Sequence, residues 1–247
     1  MKNYMHLKFF LSILFIVILG TFPAMGQSDL DKLIGKAKKI VPTSDTEVGE
    51  ALKEALKFGV NEAVDKLSAT NGYFDSPYKI LIPEEAKTII SKVKMVPGFQ
   101  DVETQLIDKM NKAAESAAKK ATPIFVDAIT SLTIKDAMNI LMGEKDAATR
   151  YLETETKTPL YNAFLPVIQS ALDEVNAREY WKSVINAYNN IPFVKKVNPA
   201  LDDYVNQKAL DGLFSLIEVK EAKIRTDQSQ RTTELLKKVF AQQDKKG

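Results

Sequence analysis

Cysteine is absent from the 247-residue chain, and histidine occurs once, as His6. Beyond the N-terminal segment the chain therefore has no thiolate or imidazole ligand for zinc, and no Ser-His-Asp or Cys-His nucleophile. Disulfides are excluded too, so the fold depends on its own core. These absences argue against zinc enzymes and the common esterases, phosphatases and peptidases. We expect neither a cofactor nor a metal.

A net positive charge is also lacking once the N-terminus is set apart. Residues 1–26 contain Lys2, Lys8 and His6 but no acidic residue. Of the 34 Lys and Arg residues, 32 then remain to face 32 Asp and Glu residues. A neutral protein has no net field with which to displace counterions from a phosphate backbone. The sequence therefore predicts no nucleic-acid partner, and it contains no glycine-rich phosphate loop.

The first 26 residues follow the pattern of a secretory signal. A basic, polar start precedes an apolar run over residues 9–20, and Ala24 and Gly26 provide small side chains at the peptidase positions. The run is shorter than the roughly 20 residues that a permanent membrane-spanning helix needs. We predict cleavage before Gln27, and a periplasmic or secreted protein without stable membrane insertion. An uncleaved N-terminal anchor is the alternative.

Residues 27–247 show helical periodicity in almost every window, with few glycines and prolines. Capping pairs such as Ser44 with Glu47 and Thr133 with Asp136 predict helix starts, and new helices are predicted at Pro123 and Pro159. Residues 201–225 are apolar over a wide arc, which is typical of a helix surrounded by others. The sequence predicts a single compact all-α domain of about nine or ten helices around this central C-terminal helix.

Four stretches carry a resemblance to a known family. They are residues 51–68, residues 125–143, residues 191–214 with the pieces DDY and ALDGLF, and residues 231–240, which begin with RTT. Together they resemble a bacterial family known as domain of unknown function 4197, over residues 29–240. The resemblance implies an exported bacterial protein. The family has no agreed activity, and the resemblance supplies no catalytic motif.

Two acidic residues lie within apolar helical runs, Asp127 in IFVDAI and Asp211 in ALDGLF. A buried carboxylate is costly unless it is paired or protonated, so both are candidate catalytic residues. In the catalytic interpretation one carboxylate is an acid and the other is a base or nucleophile. In the structural interpretation each accepts hydrogen bonds from a helix end, a lysine or an arginine.

The loop over residues 70–79, TNGYFDSPYK, is the other segment of interest. Its oxygen-bearing side chains, Asn71, Asp75 and Ser76, do not match the spacing of a calcium-binding loop. Tyr73 and Phe74 are either an exposed recognition tip or aromatics that fold back into the core. We expect the second arrangement.

Two functions from different classes remain. The first is a non-enzymatic binding or structural protein of the bacterial cell envelope, which holds a small apolar ligand or an envelope protein. It rests on the missing catalytic chemistry and on the aromatic residues between Tyr151 and Tyr204. The alternative is a carboxylate-dependent glycan hydrolase of the periplasm that uses Asp127, Asp211 or a nearby Glu. Two carboxylates about 5 to 9.5 Å apart in an open cleft would favour the hydrolase.

Overall fold

The computed structural model describes residues 44–231 together with residues 234, 237, 240 and 241. Within these residues the chain forms eight α-helices, two short 3-10 turns (Glu84–Ala86 and Gln228–Gln230) and no strand. The all-α class is therefore confirmed. The helices are α1 (Asp45–Ser68), α2 (Lys87–Val93), α3 (Val102–Ala118), α4 (Ala121–Ser131), α5 (Ile134–Met142), α6 (Ala147–Asp173), α7 (Ala177–Asn189) and α8 (Leu201–Thr226).

The predicted capping residues begin their helices. The Ser44 hydroxyl accepts a hydrogen bond from the backbone N–H of Glu47 at 3.2 Å. Thr133 and Asp136 form a complete capping box at the start of α5, each side chain accepting from the other residue's backbone N–H at 3.1 Å. These bonds satisfy amides that lack a partner inside the helix. Pro123 lies in the first turn of α4, where its missing N–H costs nothing.

The helix boundary predicted at Pro159 is wrong. Pro159 and Pro166 both lie inside α6, which continues over 27 residues. A proline in a helix interior costs about 3 kcal/mol, but every fourth side chain of α6 is buried on both sides of each proline. Burial of each large apolar side chain contributes about 1.5 to 3 kcal/mol, so packing outweighs the two local penalties. The buried residues of this stripe are Ala148, Leu152, Thr156, Leu160, Phe164, Ile168 and Leu172. One long helix replaces two predicted ones, and the expected count of nine or ten is too high for the described residues.

The predicted central helix is α8. It packs along α6 and also contacts α1, α3 and α7. Its buried side chains cover most of its circumference, including Leu201, Val205, Leu210, Leu213 and Phe214. Four alanines of α3 are fully buried, and their small side chains let α3 lie close to α6. The core therefore lies between α8, α6 and the helices that flank them.

Phe240 closes one end of this core. It is 4% exposed, and the guanidinium groups of Arg225 and Arg231 lie 5.7 and 5.5 Å from its ring centroid. A last short helix is also predicted from the apolar spacing of residues 232–240, and its other apolar residues, Leu235, Leu236 and Val239, lie outside the described residues. The predicted export signal and the start at Gln27 lie outside them too. Among the helices that are described, none has the length and apolar character to cross a bilayer.

Candidate functional site

An apolar cleft of about 340 Å³ lies between α2, α3 and α7. Helical periodicity brings one apolar stripe of each helix to the cleft, since residues three or four apart share a face. The lining includes Ile90 and Val93 from α2, Val102 and Leu106 from α3, and Trp181 and Val184 from α7.

One turn and an aromatic pair shape the mouth of the cleft. Gly98, at φ +91°, turns the chain between α2 and α3 in a conformation that side-chain-bearing residues avoid. The next residue, Phe99, lies 5.6 Å from Tyr180 between ring centroids. The indole N–H of Trp181 donates to the backbone oxygen of Asn198 at 3.0 Å, which orients the ring at the cleft wall.

Two charged residues line the cleft, Asp108 and Lys109. The Asp108 carboxylate is 2.9 Å from the ammonium group of Lys112, one turn further along α3. Lys109 is partly buried and, within the described part of the chain, makes no ion pair and no side-chain hydrogen bond. The cleft therefore combines an apolar lining with one unpaired positive charge.

The two acids singled out from the sequence lie elsewhere, and neither of them is buried. Asp127 lies on the exposed face of α4. The Asp211 side chain is 56% exposed and lies 3.3 Å from the Lys208 ammonium group. Their apolar neighbours in sequence lie on other faces of the helices, because a helix turns by about 100° per residue.

The structure does not bring Asp127 and Asp211 together. Asp211 lines a shallow groove with Glu84, and Asp127 does not reach this groove. Glu84 is 2.5 Å from Lys87. Asp211 is paired with a lysine, as the structural interpretation expected, and the acid that lines the groove with it is Glu84 and not Asp127.

We expect Asp211→Ala to change the free energy of unfolding by less than about 1 kcal/mol, since exposed ion pairs contribute little. Urea denaturation followed by circular dichroism would measure this change. Asp127→Ala is the matched control on another exposed helix face. A loss above about 2 kcal/mol for Asp211→Ala alone would contradict the exposed placement.

Tyr73 folds back into the core, as expected for the loop over residues 70–79. It is fully buried, and its hydroxyl donates to the backbone oxygen of Ala209 at 2.7 Å. Burial, and secondarily the charge of Glu115, raises the pKa of the Tyr73 hydroxyl. Phe74 is partly buried, with the Lys79 ammonium group 3.5 Å above its ring. Among the described residues, no group of three or more His, Cys, Asp or Glu could hold a metal ion.

Sequence reasoning missed two acids that are buried, and Glu115 is the first. It is 7% exposed. Its carboxylate accepts hydrogen bonds from the backbone N–H groups of Asn71, Tyr73 and Phe74 at 3.2, 3.3 and 3.4 Å. The sequence signal for its burial is its position among the alanines of α3, because a lone acid in such a buried stretch needs a partner. Glu115 holds the loop against α3.

Glu221 is the second buried acid, at 8% exposure. It accepts from the backbone N–H groups of Ala148 and Thr149 at 3.0 and 2.8 Å, at the start of α6. It also lies 2.8 Å from the guanidinium of Arg225, which donates to two backbone oxygens at the end of α5. The sequence signal for this ion pair is the spacing of four residues between Glu221 and Arg225, which places them side by side on a helix. Glu221 and Arg225 together join α8, α6 and α5, and Glu221 does not line the apolar cleft.

The sequence does not reveal the cleft itself, although the aromatic residues between Tyr151 and Tyr204 include those of α7. Phe99, Val102 and Leu106 follow helical spacing, a pattern that predicts an apolar face. The same pattern is found on a helix face that is fully covered. Only the packing of α2 and α7 shows that this face is partly open.

Comparison with known proteins places the chain in a family. The family model described as protein of unknown function (DUF4197) matches residues 42–241. No curated protein and no solved structure matches the chain. The match covers all of the described residues, including the cleft and both buried acids. The chain belongs to the DUF4197 family of proteins of unknown function.

Proposed function

We propose that this protein is a non-catalytic binding protein of the bacterial cell envelope, and that it holds a small apolar ligand in the cleft between α2, α3 and α7. The observation that carries the proposal is the cleft lining, which three helices supply with apolar and aromatic side chains. The placement in the envelope rests on the signal-like pattern of residues 1–26.

The size of the cleft supports a small ligand. Ligand sites are concave, mostly apolar and roughly 300 to 1,000 Å³ in volume, and the cleft volume of about 340 Å³ lies near the lower end. A ligand of one chain or one ring system fits this volume better than a protein segment.

Exposed apolar surface at the cleft supplies the driving force for ligand binding. Two large lining residues are exposed, Val175 at 42% and Tyr180 at 55%. A ligand that covers them removes apolar surface from water, which contributes about 25 cal/mol per Å². Exposed apolar surface that is concave and rimmed by polar residues is typical of a binding site.

Binding can be tested with the neutral fluorophore N-phenylnaphthylamine. Trp181 is the only tryptophan of the chain and lines the cleft, so energy transfer from Trp181 reports a probe bound near it. We expect Val184→Phe, which fills the partly buried wall of the cleft, to weaken probe binding about tenfold or more.

The matched control is Val219→Phe. Val219 is 43% exposed on α8 and does not line the cleft. We expect this variant to bind the probe like the unmodified protein. Absence of energy transfer from Trp181, or equal affinity of both variants and the unmodified protein, would show that the cleft is not a ligand site.

A further inference from the structure

We infer that the ligand is an anionic amphiphile whose acidic head group pairs with Lys109 while its apolar body lies in the cleft. This inference rests on the proposed function and specifies its ligand class. It comes from the position of one lysine relative to the apolar lining.

Lys109 continues the cleft-facing stripe of α3. Val102, Leu106 and Lys109 are separated by four and three residues, so they lie on one face of the helix, and all three line the cleft. A lysine at the end of an apolar stripe lays its methylene stem along that surface and keeps its ammonium group at the rim. The positive charge is thus placed where the head group of a bound amphiphile would emerge.

The other charged residue of the cleft lining is already paired. Asp108, the only acidic residue of the lining, is 2.9 Å from Lys112. Lys94 and Glu103, on the segments that lead into and out of the α2–α3 turn, lie 2.8 Å apart. Within the described residues, Lys109 is the charged lining residue that lacks an opposite charge.

Charge complementarity therefore selects the ligand. A carboxylate at the rim gains a partner that is partly shielded from water, whereas an ammonium head group meets a like charge. A neutral head group neither gains a charged partner nor meets a like charge. The order of affinity expected for ligands with the same chain is anionic, then neutral, then cationic.

The experiment compares dodecanoate, dodecanol and dodecylammonium, each displacing N-phenylnaphthylamine from the purified protein at concentrations below micelle formation. We expect dodecanoate to bind about fivefold more tightly than dodecanol, which corresponds to the upper end of a solvent-accessible ion pair. Dodecylammonium should bind more weakly than dodecanol. Added salt should reduce the preference for dodecanoate.

The variant Lys109→Gln tests whether Lys109 pairs with the acidic head group. In this variant dodecanoate should lose its advantage and bind no more tightly than dodecanol. Lys119→Gln is the matched control, because Lys119 is exposed at the end of the same helix and does not line the cleft. It should retain the preference of the unmodified protein.

The possible outcomes distinguish the assignment of the head group from the proposed function. Equal binding of the three amphiphiles, or a preference for dodecanoate that survives in Lys109→Gln, would overturn the assignment of the head group and leave the apolar site intact. Failure of all three to displace the probe, together with no energy transfer from Trp181, would overturn the proposed function as well.

Discussion

Replacement of Glu221 by alanine is expected to lower the free energy of unfolding by about 3 to 5 kcal/mol, the cost of removing one partner from a buried ion pair. The side chains of Glu221 and Arg225 are each 7% exposed. Without the carboxylate, the Arg225 charge stays buried and unmatched. The N–H groups of Ala148 and Thr149 and the Thr149 hydroxyl also lose their acceptor.

Urea denaturation measured by circular dichroism would test this expectation. Glu218→Ala is the control on the same helix, because the Glu218 side chain is 42% exposed and pairs with Arg150 at the surface. It should cost less than about 1 kcal/mol. The double variant Glu221→Leu with Arg225→Met should recover part of the loss, since it removes both buried charges. Equal stability of Glu221→Ala and Glu218→Ala would contradict the buried pair.

Replacement of Glu115 by glutamine is the second large effect that we expect, with a loss of about 2 to 3 kcal/mol. Glutamine has nearly the same shape, so the packing of α3 is preserved. One Glu115 oxygen accepts from Tyr73 and Phe74, and the other accepts from Asn71. A side-chain amide has one acceptor oxygen and one NH₂ group, so it must point a donor at a backbone donor.

Two measurements test the role of Glu115. Denaturation would give the loss of stability, and hydrogen exchange would show faster exchange at the amides of Tyr73 and Phe74. Glu103→Gln is the control on the same helix, with a side chain 36% exposed and paired with Lys94. Unchanged exchange in Glu115→Gln would show that the carboxylate does not hold the loop.

Local signals in the sequence predicted much of the fold. The capping residues Ser44 and Thr133, the break before Pro123, and the central helix over residues 201–225 agree with the structure. Caps and helical stripes depend on residues only a few positions apart, and the free energies that decide them are local.

Predictions that depended on more distant residues were wrong. Pro159 has a local cost that predicts a helix boundary, but the burial of side chains along α6 outweighs it. Asp127 and Asp211 lie among apolar residues in sequence and on the exposed side of their helices in space. Periodicity in a single helix does not determine which side its neighbours cover.

The sequence by itself determined the all-α class and the family, and it excluded cysteine chemistry throughout the chain and histidine chemistry beyond His6. Only the tertiary structure decided which acids are buried and which apolar stripe is partly open. Glu115 and Glu221 are buried because backbone amides from other segments meet their carboxylates. The face of α3 beside α7 forms a cleft because the neighbouring helices do not fully cover it. These outcomes depend on contacts between residues far apart in the chain, and such contacts leave no periodic signal in the sequence.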